Sequence, residues 1–160
     1  MELYFQEKMS FKGKVEITDA EGNVVYTAKR GFWDSGLTLK DAEGNKIVTV
    51  VEYNGLFKRF EIKKGRKKIA KMKKKLSLIG QKMHIKSLDW DVKGNFIAKE
   101  YTITKGEEVI AEITKKKMIS LLEAYSINIH NDENLAEVLG VTLVLNQILK
   151  NGKKKLLKKL

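Results

Sequence analysis

The chain has 160 residues and no cysteine, so disulfides, thiolate metal sites and cysteine nucleophiles are excluded. One domain is expected at this length, burying about 70% of the unfolded surface without covalent staples. The formal net charge is +12, and its placement matters more than its size: residues 58–86 carry 13 basic side chains and 1 acidic, and residues 150–160 carry 6 basic and none acidic. Both remaining segments are net acidic. Blocks of this kind create a local field that attracts phosphate, which scattered charge does not.

From Met1 to Phe11 there is no basic segment followed by an apolar run, so no signal peptide is expected. Glu2-Leu3-Tyr4-Phe5-Gln6 resembles the recognition site of tobacco etch virus protease, yet it reads more naturally as a first β-strand running on to Lys8. Lys14-Val15-Glu16-Ile17-Thr18 and Val24-Val25-Tyr26-Thr27-Ala28 then flank Asp19-Ala20-Glu21-Gly22-Asn23. Such short runs, alternating with period two around a glycine turn, predict half-buried strands joined as a hairpin. The turn recurs as Asp41-Ala42-Glu43-Gly44-Asn45, and more loosely as Lys63-Lys64-Gly65-Arg66, Asp91-Val92-Lys93-Gly94-Asn95 and Thr104-Lys105-Gly106-Glu107. Glycine supplies the positive φ of a tight turn, and Asp or Asn tolerates it next best.

A second repeat supports a chain of hairpin units. Ile69 to Lys75 leads into Leu76-Ser77-Leu78, as Ile110 to Lys117 leads into Met118-Ile119-Ser120-Leu121. Twelve strands are predicted, near 2–8, 12–19, 24–30, 36–41, 46–53, 57–63, 67–74, 81–86, 88–93, 96–103, 108–116 and 122–129. So many antiparallel strands avoid exposed edges most simply by closing into a barrel.

After Asn131 and Asp132, which suit a cap, residues 133–150 read as one helix, with Glu133 and Glu137 at its positive end and Gly152 as a stop. Its apolar side chains, among them Leu135, Val138, Leu139, Val141, Val144 and Leu145, cover nearly the whole circumference, and a helix apolar all round is buried. About 18 residues span roughly 27 Å, matching the length of a strand and fitting the helix to the inside of the barrel. Gly140 is placed to let a strand side chain approach closely. The longest apolar run, Val138 to Leu145, is broken by Thr142 and falls far short of the roughly 20 residues of a spanning helix. A cytoplasmic protein is expected, with a barrel domain over 1–152 and a basic tail over 153–160.

These features resemble the LURP-one-related proteins, of the tubby C-terminal-like superfamily that also includes phospholipid scramblases. The residues carrying the likeness are the strand–Asp-x-x-Gly-Asn–strand units, Leu88-Asp89-Trp90-Asp91-Val92-Lys93-Gly94-Asn95-Phe96, the stretch Ala111 to Lys117, and Asn131-Asp132-Glu133 with the apolar helix. The resemblance covers residues 2–150 and rests on the order of the motifs. It implies a mainly β fold: a closed twelve-stranded antiparallel barrel wrapped around one apolar C-terminal helix. Tubby domains bind phosphoinositides through basic side chains, but no motif maps those ligands onto positions here, so the analogy stays at the level of the fold.

No chemistry of an active site stands out. His84 and His130 are the only histidines, and neither has a partner at metal-ligand spacing. Both are expected at strand ends. Asp89 and Asp91 flank Trp90 and would share one strand face, a pair able to hold a hard cation but short of the ligands one needs. Trp90 is expected in the core and Trp33, beside Phe32, as a core anchor. There is no phosphate-binding glycine loop and no nucleophile elbow. A non-enzymatic protein without cofactor or metal is expected.

The basic block is the feature with functional promise. It comprises Lys58, Arg59, Lys63, Lys64, Arg66, Lys67, Lys68, Lys71, Lys73, Lys74 and Lys75, with Lys82 and Lys86 beyond. A hairpin of 57–63 and 67–74 would gather these on one sheet surface, with Lys115, Lys116 and Lys117 brought near by the repeat. The bland alternative is a solvated lysine face that blunts edge pairing. The tail Lys153-Lys154-Lys155-Leu156-Leu157-Lys158-Lys159-Leu160, if helical, sets Leu156, Leu157 and Leu160 on one face, a pattern suited to an anionic bilayer; the alternative is a frayed end. The leading expectation is a module for anionic phospholipid surfaces, phosphoinositide or phosphatidylserine, peripheral at the inner membrane surface. Nucleic acid ranks second, since Phe57 and Phe60 are the only aromatics near for base stacking. A protein-interaction scaffold is the third reading.

Overall fold

The computed structural model describes residues 1–6, 14–30, 36–73, 82–116 and 124–158, the last nine of these as backbone only. Twelve strands form one antiparallel sheet: β1 (Glu2–Gln6), β2 (Val15–Thr18), β3 (Val24–Arg30), β4 (Gly36–Asp41), β5 (Lys46–Tyr53), β6 (Arg59–Lys64), β7 (Lys67–Lys73), β8 (Lys82–Ile85), β9 (Trp90–Asn95), β10 (Glu100–Lys105), β11 (Glu108–Lys116) and β12 (Ala124–Ile129). The spatial order is β7-β6-β5-β4-β3-β2-β1-β12-β11-β10-β9-β8. β1 joins the two halves of the sheet by pairing with both β2 and β12, Phe5 lying opposite Ile17 on one side and Tyr125 on the other.

The alternation seen in the sequence points the apolar set inward. Phe5, Ile17, Leu39, Phe60, Ile62, Val92, Ile103, Ile127 and Ile129 are all fully buried. Phe5 stacks on Tyr125 with centroids 4.6 Å apart. The repeated turns are built as the sequence suggests. Asp19 Oδ1 accepts from the Asn23 backbone N–H at 2.8 Å and Asp19 Oδ2 from the Asn23 side-chain amide at 3.0 Å; Asp41 and Asn45 repeat both bonds at the same distances. Gly22 and Gly44 supply the left-handed φ of +86° and +88° between them. β-Bulges at Ile17/Thr18, Leu39/Lys40, Ile62/Lys63 and Ile103/Thr104 precede four of these turns, bending and twisting the strands at one end.

The looser copy at Asp91–Asn95 is not a turn. Those residues lie within β9, and the chain reverses at 96–99 instead, where Lys99 takes φ +58° and donates its N–H to the Phe96 carbonyl at 3.2 Å. Gly94 serves close packing: at φ +139° its Cα faces β10 so tightly that a Cβ would collide with the Glu100 carbonyl oxygen and sit 2.7 Å from Tyr101 Cα. A glycine followed by asparagine has the same sequence signature in either role. β9 and β10 are accordingly displaced along the chain from the expected 88–93 and 96–103.

A 3-10 turn at Asp132–Asn134, capped by Asn131 Oδ1 accepting from Glu133 N–H at 3.0 Å, leads into α1 (Leu135–Lys158). The helix threads the barrel, buried from Ala136 to Ile148 apart from the half-buried Glu137 and Gln147. It runs through Gly152 to Lys158 rather than stopping near 150. A helix glycine costs only about 1 kcal/mol, and the Lys and Leu residue types that follow it are good helix formers. Gly140 is where the helix meets the sheet most closely, a Cβ there lying 2.6 Å from Ile62 Cγ2.

Candidate functional site: a basic hairpin beside an open seam

β6 and β7 form a hairpin around Gly65-Arg66. Phe60 and Ile62 on β6, and Ala70 and Met72 on β7, turn into the core, so the intervening positions Arg59, Glu61, Lys63, Lys71 and Lys73 turn outward. Apart from Glu61, which faces Lys71, the register sets like charges opposite one another: Arg59 faces Lys73, Lys63 faces Lys68, and Lys64 faces Lys67. Like charges directly across strands destabilise a sheet.

Glu61 is the one acidic group of the hairpin, and it is largely covered, 7% exposed. Arg59 Nε donates to its Oε2 at 3.0 Å and Lys63 Nζ lies 4.0 Å from Oε1. Burial pushes the carboxyl pKa up, but the hydrogen bond from Arg59 and the charges of Lys68, Arg59 and Lys63 outweigh it and hold it below its ordinary value. Tyr53 on β5 completes the cluster: the Arg59 guanidinium stacks 4.4 Å from its ring centroid, and Lys63 Nζ donates to its hydroxyl at 3.4 Å. Arg59 and Lys63 are thus committed to structure. Lys58, Lys64, Arg66, Lys67, Lys68, Lys71 and Lys73 are exposed, and none forms an ion pair among the described residues.

The barrel is nearly rather than fully closed. β7 and β8 are the two ends of the sheet, and among the described residues no ladder joins them. Lys71 N–H donates to Ser87 Oγ at 3.2 Å across this seam. Beyond it Lys82 faces Lys93, so the positive surface continues onto β8 and β9 with Lys86 in the following turn. Lys115 and Lys116 do not join it: they end β11, with β10, β9 and β8 between them and the hairpin. The sequence repeat between the two runs marks equivalent hairpins, not neighbouring ones. Lys74, Lys75, Lys117, Trp33, Lys159 and Leu160 lie outside the described residues. The tail from Lys153 to Lys158, with Lys154, Lys155, Leu156 and Leu157, has helical backbone.

Asp89 does not share a strand face with Asp91. It sits in the 86–89 turn at φ +55°, while Asp91 is in β9. Both approach His84, which lies inside β8 opposite Asp91: Nδ1 is 3.0 Å from Asp91 Oδ1 and Nε2 is 3.8 Å from Asp89 Oδ1. The His84 hydrogen bond lowers the Asp91 pKa, as do Lys82, His84 and Lys93 by charge, against the opposing effect of desolvation. Among the described residues no group of three His, Asp or Glu is arranged to hold a metal ion. Trp90 is in the core as expected, and His130 follows β12 with its Nε2 3.0 Å from Glu112 Oε2. Sequence reasoning missed the Tyr53–Arg59–Glu61–Lys63 cluster; the lone Glu61 inside thirteen cations was the available signal. It also grouped Phe57 with Phe60, which the structure separates: Phe60 is core and Phe57 is 79% exposed.

A twelve-stranded antiparallel barrel threaded by its own C-terminal helix is the tubby C-terminal-like class of fold. Within that class the chain belongs to the LURP-one-related family, which matches residues 1–146. It is 28% identical over 155 residues to a Bacillus subtilis (strain 168) protein named as the uncharacterized protein YxjI, covering 94% of this chain and 95% of that one. A crystal structure of an Arabidopsis thaliana protein has the same fold, with a TM-score of 0.57, 17% identity and 91% of each chain covered. Among the described residues no helix is long and apolar enough to cross a membrane.

Proposed function

We propose that the protein is a non-catalytic binding module that attaches to anionic phospholipid surfaces, at the cytoplasmic face of a membrane, through the Lys/Arg-rich surface of the β6–β7 hairpin. The observation that carries this reading is the set of exposed cations Lys58, Lys64, Arg66, Lys67, Lys68, Lys71 and Lys73 in one hairpin whose single carboxylate, Glu61, is already held by Arg59 and Lys63, with Lys64 set directly opposite Lys67. A face kept only for solubility interleaves both signs. Here repulsion is built into the ladder, and an array of phosphates would relieve it. Each basic residue close to an anionic bilayer contributes about 1 kcal/mol, so several together support salt-sensitive recruitment. Lysine predominates over arginine, which favours diffuse attraction over bidentate recognition of one headgroup. Nucleic acid fits less well: Phe60 is buried in the core and the Tyr53 ring is already covered by Arg59, so that among the described residues near the hairpin the exposed Phe57 is the one ring left for a base to stack on, where single-strand binders use several.

Sedimentation with neutral, phosphatidylserine-containing and phosphoinositide-containing vesicles tests the reading. Pelleting with anionic vesicles alone, weakened by salt and lost when Lys67, Lys68, Lys71 and Lys73 are all changed to Glu, is expected. Equal pelleting of the charge-reversed protein, or none by either protein, refutes it; retention of duplex RNA in its place would transfer the surface to nucleic acid.

A further inference from the structure

An up-and-down barrel sorts its connections to alternate ends. The strand registers place the turns at 19–23, 41–45, 65–66, 86–89 and 106–107, with the helix entry at 130–134, at one end. The connections 54–58 and 96–99 lie at the other. Charge follows the same division. Outside the β6–β7 turn, the first end is net acidic: Asp19, Glu21, Asp41, Glu43, Glu107, Glu108, Asp132 and Glu133 outnumber Lys46, Lys86 and Lys105. The second end carries Lys58, Lys73, Lys82, Lys115, Lys116 and Arg30. α1 enters at the acidic end, and 24 residues at 1.5 Å make about 36 Å, longer than the roughly 23 Å of a seven-residue strand. Its last turns, with Lys153, Lys154, Lys155 and Lys158, therefore run toward the basic end.

Among the described residues, the most exposed large apolar side chains fall at that same basic end. Leu56 is 99% exposed and Phe57 79%, adjacent at the tip of the β5–β6 connection, and Ile97 is 56% exposed on the 96–99 turn. Met1 and Val24, at the acidic end, are each less than half exposed. A projecting apolar pair followed at once by Lys58, with Lys73 opposite Arg59, has no concavity of its own to fill. It matches a surface that takes apolar atoms and phosphates together without shape complementarity, which is the headgroup–acyl boundary of a bilayer.

Resting on the membrane reading above, we propose that the barrel meets an anionic bilayer end-on. Leu56 and Phe57 enter the interface, Lys58 and Lys73 contact phosphates beside them, and the acidic end is held away by repulsion. The hairpin then binds chiefly through its Lys58/Lys73 end, and Lys64, Arg66 and Lys67 around its turn contribute less.

The absence of cysteine permits a direct test with the full chain. Phe57→Cys and Ala20→Cys are each labelled with a polarity-sensitive fluorophore and mixed with phosphatidylcholine vesicles with and without phosphatidylserine. A blue shift at position 57 with anionic vesicles, quenched by nitroxide-bearing lipid, and none at position 20, is expected. L56E/F57E, at positions whose exposure leaves the fold untouched, should lower partitioning about tenfold or more, and further than K64E/R66E/K67E does. If the protein pellets with anionic vesicles while the label at 57 stays in water, or L56E/F57E partitions like wild type, end-on docking is wrong and the membrane reading stands. If nothing pellets, both fall.

Discussion

Replacing Gly140 by alanine sets two opposed effects against each other. Alanine favours the helix by about 1 kcal/mol. The new Cβ, however, would stand 2.6 Å from Ile62 Cγ2, 3.3 Å from Ile62 Cδ1 and 3.5 Å from Val48 Cγ2. Carbon atoms at rest lie about 3.5–4.0 Å apart, so the first contact overlaps by about 1 Å. Ile62 is wholly buried and β-branched, and its Cγ2 cannot swing aside without leaving its rotamer. Overpacking of this kind costs about 1–3 kcal/mol. The net expectation is a loss of about 1–2 kcal/mol, seen as a fall in the urea midpoint of roughly 0.5–1 M followed by circular dichroism. I62A removes the clashing methyl group and leaves a cavity that the new Cβ partly fills. The double variant G140A/I62A should then be more stable than the sum of the single changes by about 1 kcal/mol or more. Stabilisation by G140A, or strict additivity in the cycle, would refute the close approach and reduce Gly140 to a tolerated helix residue.

Arg59→Ala strips the covered Glu61 carboxylate of its 3.0 Å hydrogen bond and should destabilise by about 1–3 kcal/mol. E61Q, which removes the charge along with its need for a cation, should cost less in the same denaturation assay; equal or greater loss in E61Q would show that the cluster is not organised around the carboxylate. In the repeated turns, hydrogen bonds from Asn23 and Asn45 hold the Asp19 and Asp41 carboxyls below their usual range, against the smaller effect of desolvation. A depressed folded-state pKa adds stability above the unfolded value, near 4, that is lost as pH falls through the folded one. The urea midpoint of the wild type should accordingly drop as pH is lowered from about 5 through 4 and below. D19N/D41N, which keeps Oδ1 as acceptor for the backbone N–H groups but gives up the Oδ2 bond and cannot titrate, should start less stable and lose less over that window, and parallel profiles for the two proteins would contradict the assignment.

Much of this architecture was legible one residue at a time. Asp19–Asn23 and Asp41–Asn45 declare themselves because the turn is closed by its own Asp and Asn side chains, without help from the rest of the chain. Period-two alternation marks strands because the pleat itself has that period, and the all-round apolar sequence from Leu135 to Leu149 requires a helix covered on every side. The family likeness followed from the order of these local features. Gly94-Asn95 misled because a glycine that turns the chain and a glycine that admits a neighbouring strand look alike until Tyr101 is seen against it. What sequence could not decide was which charges meet. The hairpin's cations are contiguous in sequence, yet register alone made them confront one another across β6 and β7, committed Arg59 and Lys63 to Glu61, and kept Lys115 and Lys116 three strands away. The separation of an acidic end from a basic one bearing Leu56 and Phe57 is likewise a property of the up-and-down circuit of strands: the chain visits the two ends alternately, so residues far apart in sequence add their fields only after the barrel has formed.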